Sequence, residues 1–173
     1  TSTAGTDYAS LSTITISAGS TTGTTTFNPT DDSVYEGSET AIIAITGVSG
    51  GGATESGTQS KTITITDNET APTVTLSTSA SSVAENGSDL TLTATLSGAT
   101  SEDVIVTLTG TGTSTAGTDY ASLSTITISA GSTTGTTTFN PTDDSVYEGS
   151  ETAIIAITGV SGGGATESGT QSK

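Results

Sequence analysis

The sequence predicts an all-β chain built as a seven-stranded β-sandwich and repeated in tandem, and three observations carry that expectation. Segments such as Thr73-Val-Thr-Leu, Leu90-Thr-Leu-Thr-Ala-Thr-Leu, Val104-Ile-Val-Thr-Leu and Thr62-Ile-Thr-Ile-Thr mostly alternate apolar residues with threonine, the period-two signature of half-buried strands. Glycine-bearing turns at Gly98-Ala-Thr, Ala130-Gly-Ser and Ser161-Gly-Gly-Gly separate these segments, and none of them has helical periodicity. Residues 1–61 return without a change as residues 113–173, an offset of 113 − 1 = 112. A period of that length is a whole domain rather than a solenoid unit.

Read in order from Ala71, strand A is expected over 73–84 with a break, B over 89–97, C over 103–110 and D over 123–129. Strand E is expected over 134–140 and F over 151–158, while G is visible only in the earlier copy, over 61–67. The joint falls at Asp67-Asn-Glu-Thr-Ala-Pro-Thr, where one strand runs out and Pro72 starts a new extended segment. Residues 1–70 then form the C-terminal part of one repeat, and residues 71–173 the N-terminal part of the next, lacking its last strand. The segment is expected to be internal to a longer chain. Tyr120, Phe139 and Tyr147 are the aromatics of a unit, so Val, Ile, Leu and Ala must fill a thin core.

The chain has no His, Cys, Met or Trp. Without imidazole or thiolate the usual nucleophile and base pairings cannot be assembled, and zinc or copper lacks its ligands, so an enzyme is not expected. Without Cys there is no disulfide framework, and an extracellular domain with a thin core needs another staple, such as a bound metal. Eighteen acidic residues against two basic ones give a net charge of -16, which repels nucleic acid and anionic membranes and attracts cations. Low apolar content with high charge also fits disorder, but the strand periodicity argues for a fold. No apolar run approaches the roughly 20 residues of a membrane helix.

If the strands alternate in direction, the A–B, C–D and E–F turns and the end of G share one pole of the sandwich. Glu85 lies in the A–B region, Asp119 in the C–D connection, and Asp143, Asp144, Glu148 and Glu151 around E–F. The end of G supplies Asp67 and Glu69, and the earlier copy supplies Asp7, Asp31, Asp32, Glu36 and Glu39. Crowded carboxylates repel one another, and a hard divalent cation with six to eight oxygen ligands removes that conflict. Calcium suits a flexible loop site better than magnesium, which demands a tighter octahedron. Glu102 and Asp103 lie in the B–C turn, at the opposite pole, where a second, junctional calcium shared with Asp67 or Glu69 is expected. Asp89, Glu55 and Glu167 are expected to be solvated loop charge.

The spellings Gly117-Thr-Asp-Tyr, Asp143-Asp-Ser-Val-Tyr-Glu-Gly-Ser-Glu, Val83-Ala-Glu-Asn-Gly and Ile65-Thr-Asp-Asn-Glu resemble Calx-beta domains. The resemblance spans the 112-residue unit and implies a calcium-binding, immunoglobulin-like Greek-key sandwich. Identical tandem copies resemble the extender repeats of giant bacterial RTX adhesins. Carried over by position, the family's ligands fall on Glu85, Asp119, Asp143, Asp144 and Glu148, with Asp67 and Glu69 from the strand-G motif. Glu151 is assigned a structural hydrogen-bonding role. The terminal Asp67-Asn-Glu is poorer in Asp than in exchanger domains, which implies fewer ions per unit.

The resulting expectation is a calcium-rigidified spacer, secreted to a bacterial cell surface, that projects a distal ligand-binding domain. Its partners are neighbouring identical repeats, with no nucleic acid, no direct membrane contact and no small-molecule substrate. The competing reading is a directly adhesive module binding glycan, protein or ice through its threonine faces. Outward threonine is also the simplest way to keep a strand β-prone and its face soluble, and no aromatic sugar platform is visible. Paired carboxylates could serve a hydrolase, but an exposed acidic loop cluster without an aromatic cleft fits that poorly.

Overall fold

The computed structural model describes residues 1–173 and is all-β, with no helix. Eleven strands follow in chain order: β1 (Val34–Tyr35), β2 (Glu39–Ala44), β3 (Ser60–Ile65), β4 (Thr73–Thr78), β5 (Leu90–Leu96), β6 (Ala99–Thr100), β7 (Val104–Gly112), β8 (Ile126–Ile128), β9 (Thr134–Phe139), β10 (Ala153–Ser161) and β11 (Thr166–Glu167). The chain divides into two compact units. Unit 1 is Thr1–Asp32 with Gly37–Asn68, and unit 2 is Ser33–Glu36 with Glu69–Lys173.

Unit 2 holds two main sheets, in the orders β11-β4-β5-β9 and β10-β7-β8, and the short parallel pair β1-β6. The alternation read from the sequence decides which side chains go inward. Val74 and Leu76 of β4, Leu92, Ala94 and Leu96 of β5, Val104 and Val106 of β7, Ile126 and Ile128 of β8, and Ile155 and Ile157 of β10 form one buried cluster. Each set is spaced by two residues, so one face of each of these strands is apolar; threonines intervene in β4, β5 and β8, and Ile105, 43% exposed, and Ala156 intervene in β7 and β10. Tyr120 is also buried and stacks on Phe139 with ring centroids 4.8 Å apart.

Every segment expected as a strand overlaps an observed one, with local differences. Strand A stops at Thr78, because the Thr78 hydroxyl bonds the Ala80 carbonyl and a turn follows through Gly87. The pairing of β10 with β7 shifts register between Ile157 and Gly159, a bulge that a smooth alternation does not reveal. The two-residue strands β1, β6 and β11 lie outside the expected elements. Both β1 and β11 pair parallel with their neighbours, and such pairings are non-local and leave little trace in periodicity.

Unit 1 contains the antiparallel pair β2-β3, running from Glu39 opposite Ile65 to Ala44 opposite Ser60. Tyr8 and Phe27 are 4.8 Å apart, as their copies are in unit 2. Of its aliphatic side chains only Ala41 is fully buried. Ile14 is 53% exposed and forms no strand, whereas its copy Ile126 is 0% exposed within β8. In unit 2 that segment pairs with β7, and unit 1 contains no such strand.

Candidate metal centre

Asp119 is placed by a turn that its own sequence builds. The Gly117 amide donates to the Tyr120 carbonyl at 2.7 Å, the Asp119 amide to the Thr115 carbonyl at 2.9 Å, and the Thr115 amide to an Asp119 carboxylate oxygen at 2.5 Å. The burial of Tyr120 anchors this turn in the core. Its edges are then stitched to the segment after β9, because Ala121 donates to Asn140 and Thr142 to the Asp119 carbonyl, both at 2.9 Å.

Glu151 arrives from the other side. Thr152 beside it donates its amide to the Thr113 hydroxyl at 2.9 Å and accepts the Thr113 amide on its carbonyl at 3.0 Å. Glu148 comes from the loop between, where the Val146 amide closes a turn on Asp144 at 2.7 Å. Asp119, Glu148 and Glu151 each bring one carboxylate oxygen to within 4.8 Å of the others. Asp119 is half-buried, and both glutamates are exposed.

Both glutamates feel the crowding. Lost hydration and then the charges of Asp119, Asp144 and Glu85 push Glu148 above the ordinary glutamate range. Lost hydration and the Asp119 charge raise Glu151 as well, helped by a side-chain hydrogen bond to Asp119 and by the charges of Glu148 and Glu85. Five acids from three separate connections therefore share one local field.

The donor set fits a hard divalent cation. Two oxygens on opposite sides of a calcium ion at about 2.4 Å lie ~4.8 Å apart, and oxygens closer than that subtend smaller angles at the metal. All three donors are carboxylates, with no nitrogen or sulfur to favour zinc or copper. Deprotonation of the raised glutamates is the condition such an ion would impose.

The other expected ligands are distributed as follows. Glu85 and Asp144 lie within electrostatic reach of the triple, while Asp143 is exposed in the same loop. Glu102 and Asp103 each accept a backbone amide, Asp103 from Ala130 at 2.8 Å and Glu102 from Gly163 at 3.4 Å. Asp89 is exposed, and Glu55 and Glu167 accept the Gln59 and Gln171 amides. Glu69 is half-buried in unit 2 and engaged with other groups.

In unit 1, Asp7 accepts the Thr3 amide, Asp67 accepts the Gly37 amide at 2.6 Å, and Asp31 accepts the Asn68 side chain at 3.1 Å. Asp32 is exposed there and engaged. The copies of the triple are Asp7, Glu36 and Glu39. Glu36 belongs to unit 2, and Glu39 is half-buried in unit 1.

Glu151 is the residue whose membership the sequence understated. Expected in a structural role, it also belongs to the triple. Its position three residues after Glu148, just ahead of a strand, was the available signal.

Against known families, residues 1–69 match the Calx-beta domain and residues 70–172 match the LapA domain, LapA being a large adhesin family. Both families are non-enzymatic binding or structural domains. No curated protein matches the chain. With the LapA match covering more than half of its residues, the chain belongs to the LapA domain family.

Proposed function

We propose that this chain is a calcium-binding extender of a bacterial cell-surface adhesin, whose repeats stiffen on binding the ion and hold a distal ligand-binding domain away from the cell. The observation that carries this reading is the meeting of Asp119, Glu148 and Glu151, with Glu85 and Asp144 in the same field. The Calx-beta match to residues 1–69 supports calcium as the ion, and the LapA match supports the adhesin context and a secreted, cell-surface location.

The sheet orders β4-β5-β9 and β10-β7-β8 support a seven-stranded immunoglobulin-like unit, with residues 60–65 supplying in one repeat the last strand that the next lacks. On this reading residues 1–70 and 71–173 are parts of successive 112-residue repeats, and identical neighbours are the partners. Without the ion the clustered charges repel and the loops loosen, while with it five loop acids are tied to one point. A spacer needs no ligand cleft, and the outward threonines serve solubility and strand propensity.

The test is a calcium titration followed by thermal unfolding and small-angle scattering. Calcium is expected to bind at ~0.1–1 mM, the range of extracellular modules, to raise the melting temperature by linkage and to lengthen the particle. A melt and a scattering profile that are the same in calcium and in chelator would reject the reading. Binding of the calcium-loaded chain to a glycan array or to ice would instead favour the directly adhesive module.

A further inference from the structure

Unit 2 takes in four residues that precede the rest of it in sequence, Ser33-Val-Tyr-Glu36. They form a seated strand. Val34 pairs parallel with Ala99 and Tyr35 with Thr100, and the Tyr35 carbonyl accepts the Ser101 amide at 3.1 Å. The seat is shaped for the tyrosine. Thr100 is fully buried, and Gly164, at φ +61°, lies so close beneath the ring that a Cβ there would come within 2.6 Å of it.

The same four residues recur as Ser145-Val-Tyr-Glu148, and there they have no seat. Tyr147 is 97% exposed and Val146 60%, although Tyr35 and Val34 are half-buried. One sequence is thus held in one copy and bare in the other. A valine and a tyrosine exposed together in a loop, where the Val146 amide turns back onto Asp144 at 2.7 Å, have the makings of a strand-addition segment.

We infer that Ser145–Glu148 is a docking segment for a further copy of this repeat, entering its equivalent of the Ala99–Thr100 edge as a short parallel strand, with Tyr147 over the equivalent of Gly164. The occupant is fixed by what already fills the seat: the identical tetrapeptide, in the identical register. Specificity comes from the glycine floor, which a side chain would fill, and from the two-residue backbone edge. Each repeat then carries a plug for its successor and a socket for its predecessor, so docking is directional along the array. The inference rests on reading the chain as part of an array of identical repeats. It does not rest on calcium, since backbone pairing and ring contact need no metal.

The test compares this chain with one lengthened at its C-terminus by a further copy of residues 62–173, each in calcium and in chelator. The lengthened chain supplies a socket whether or not calcium stiffens the native array, so failure of docking and failure of the calcium reading are separately visible. Amide exchange at Tyr147 is expected to slow at least about tenfold on lengthening. With 3-fluorotyrosine, the Tyr147 resonance, assigned by Tyr147→Phe, is expected to move toward that of Tyr35. Both changes should occur in chelator as well as in calcium.

Unchanged exchange at Tyr147, while the added copy shows the protected ring signal of its own Tyr120 equivalent, overturns the inference. Slowing seen in calcium alone also overturns it, because the metal and not the strand would then be the joint. In the 173-residue chain, Tyr35→Ala is expected to speed exchange at Ser101, and Tyr147→Ala to leave it unchanged. An unchanged Ser101 in Tyr35→Ala would mean that the seat does not depend on the ring, and would overturn the plug as described.

Discussion

Glu151 and Asp119, two acids from connections more than thirty residues apart, bring carboxylate oxygens within 4.8 Å of each other. Two carboxylates held this close repel each other when charged, a conflict that either a proton or a metal ion relieves. The pH and calcium responses of the domain follow from that relationship.

Without metal, stability should fall as pH rises through the titration of Glu148 and Glu151. Both are raised in the folded state, so between the ordinary glutamate value of about 4.3 and their folded values the native protein holds more protons than the unfolded chain. The stabilising contribution is therefore complete below about pH 4.3 and lost above the folded values. The two side chains are exposed, so the effect is small. Chelated thermal melts across pH 4–8 are expected to show this decline, and calcium should flatten it as calcium affinity grows over the same window. A chelated melting temperature that climbs with pH through this window would contradict the assignment.

Replacing Glu148 by Gln should weaken calcium binding about tenfold or more, since affinity in oxygen sites follows the count of charged ligands. Asp119→Asn should do the same, and isothermal calorimetry measures both. Asp89→Asn removes a charge outside the cluster and is expected to change affinity little. In chelator, Glu148→Gln should melt at or above the parent temperature because it relieves repulsion, so affinity and stability move in opposite directions.

The same substitution should have unequal costs in the two copies. Ile126 is fully buried among β7, β8 and their neighbours, and Ile126→Ala is expected to cost unit 2 about 2–5 kcal/mol. Ile14 occupies the matching place in unit 1 but is half exposed, and Ile14→Ala should cost under ~1 kcal/mol. Denaturant unfolding with each unit's signal resolved decides between unequal and equal costs.

Gly110 is expected to reject a side chain because of Tyr120. An added Cβ would come within 2.2 Å of the tyrosine hydroxyl, and Tyr120 is buried against Phe139 with no room to retreat. Gly110→Ala should destabilise unit 2 by about 1–3 kcal/mol, and by less in a Tyr120→Phe background that lacks the clashing oxygen. Equal costs in the two backgrounds would show that the backbone, not the ring, excludes the methyl group.

Much of this molecule is legible from alternation alone. The inward sets at 74 and 76, 92 to 96, 104 and 106, 126 and 128, and 155 and 157 are read directly off the sequence, because a strand turns every second residue to the same side. The crowding of acids from the C–D and E–F connections is legible too, since alternating strands return to the same pole. Tertiary structure decided the rest. Ile14 and Ile126 sit in identical sequences, yet only one forms a strand, because a strand exists only where a neighbour supplies its hydrogen bonds and covers its apolar face. Tyr35 and Tyr147 likewise share every neighbour in sequence, and one is seated over Gly164 while the other stands in solvent. Local sequence determined which face each side chain takes, and long-range contact determined whether anything was there to receive it.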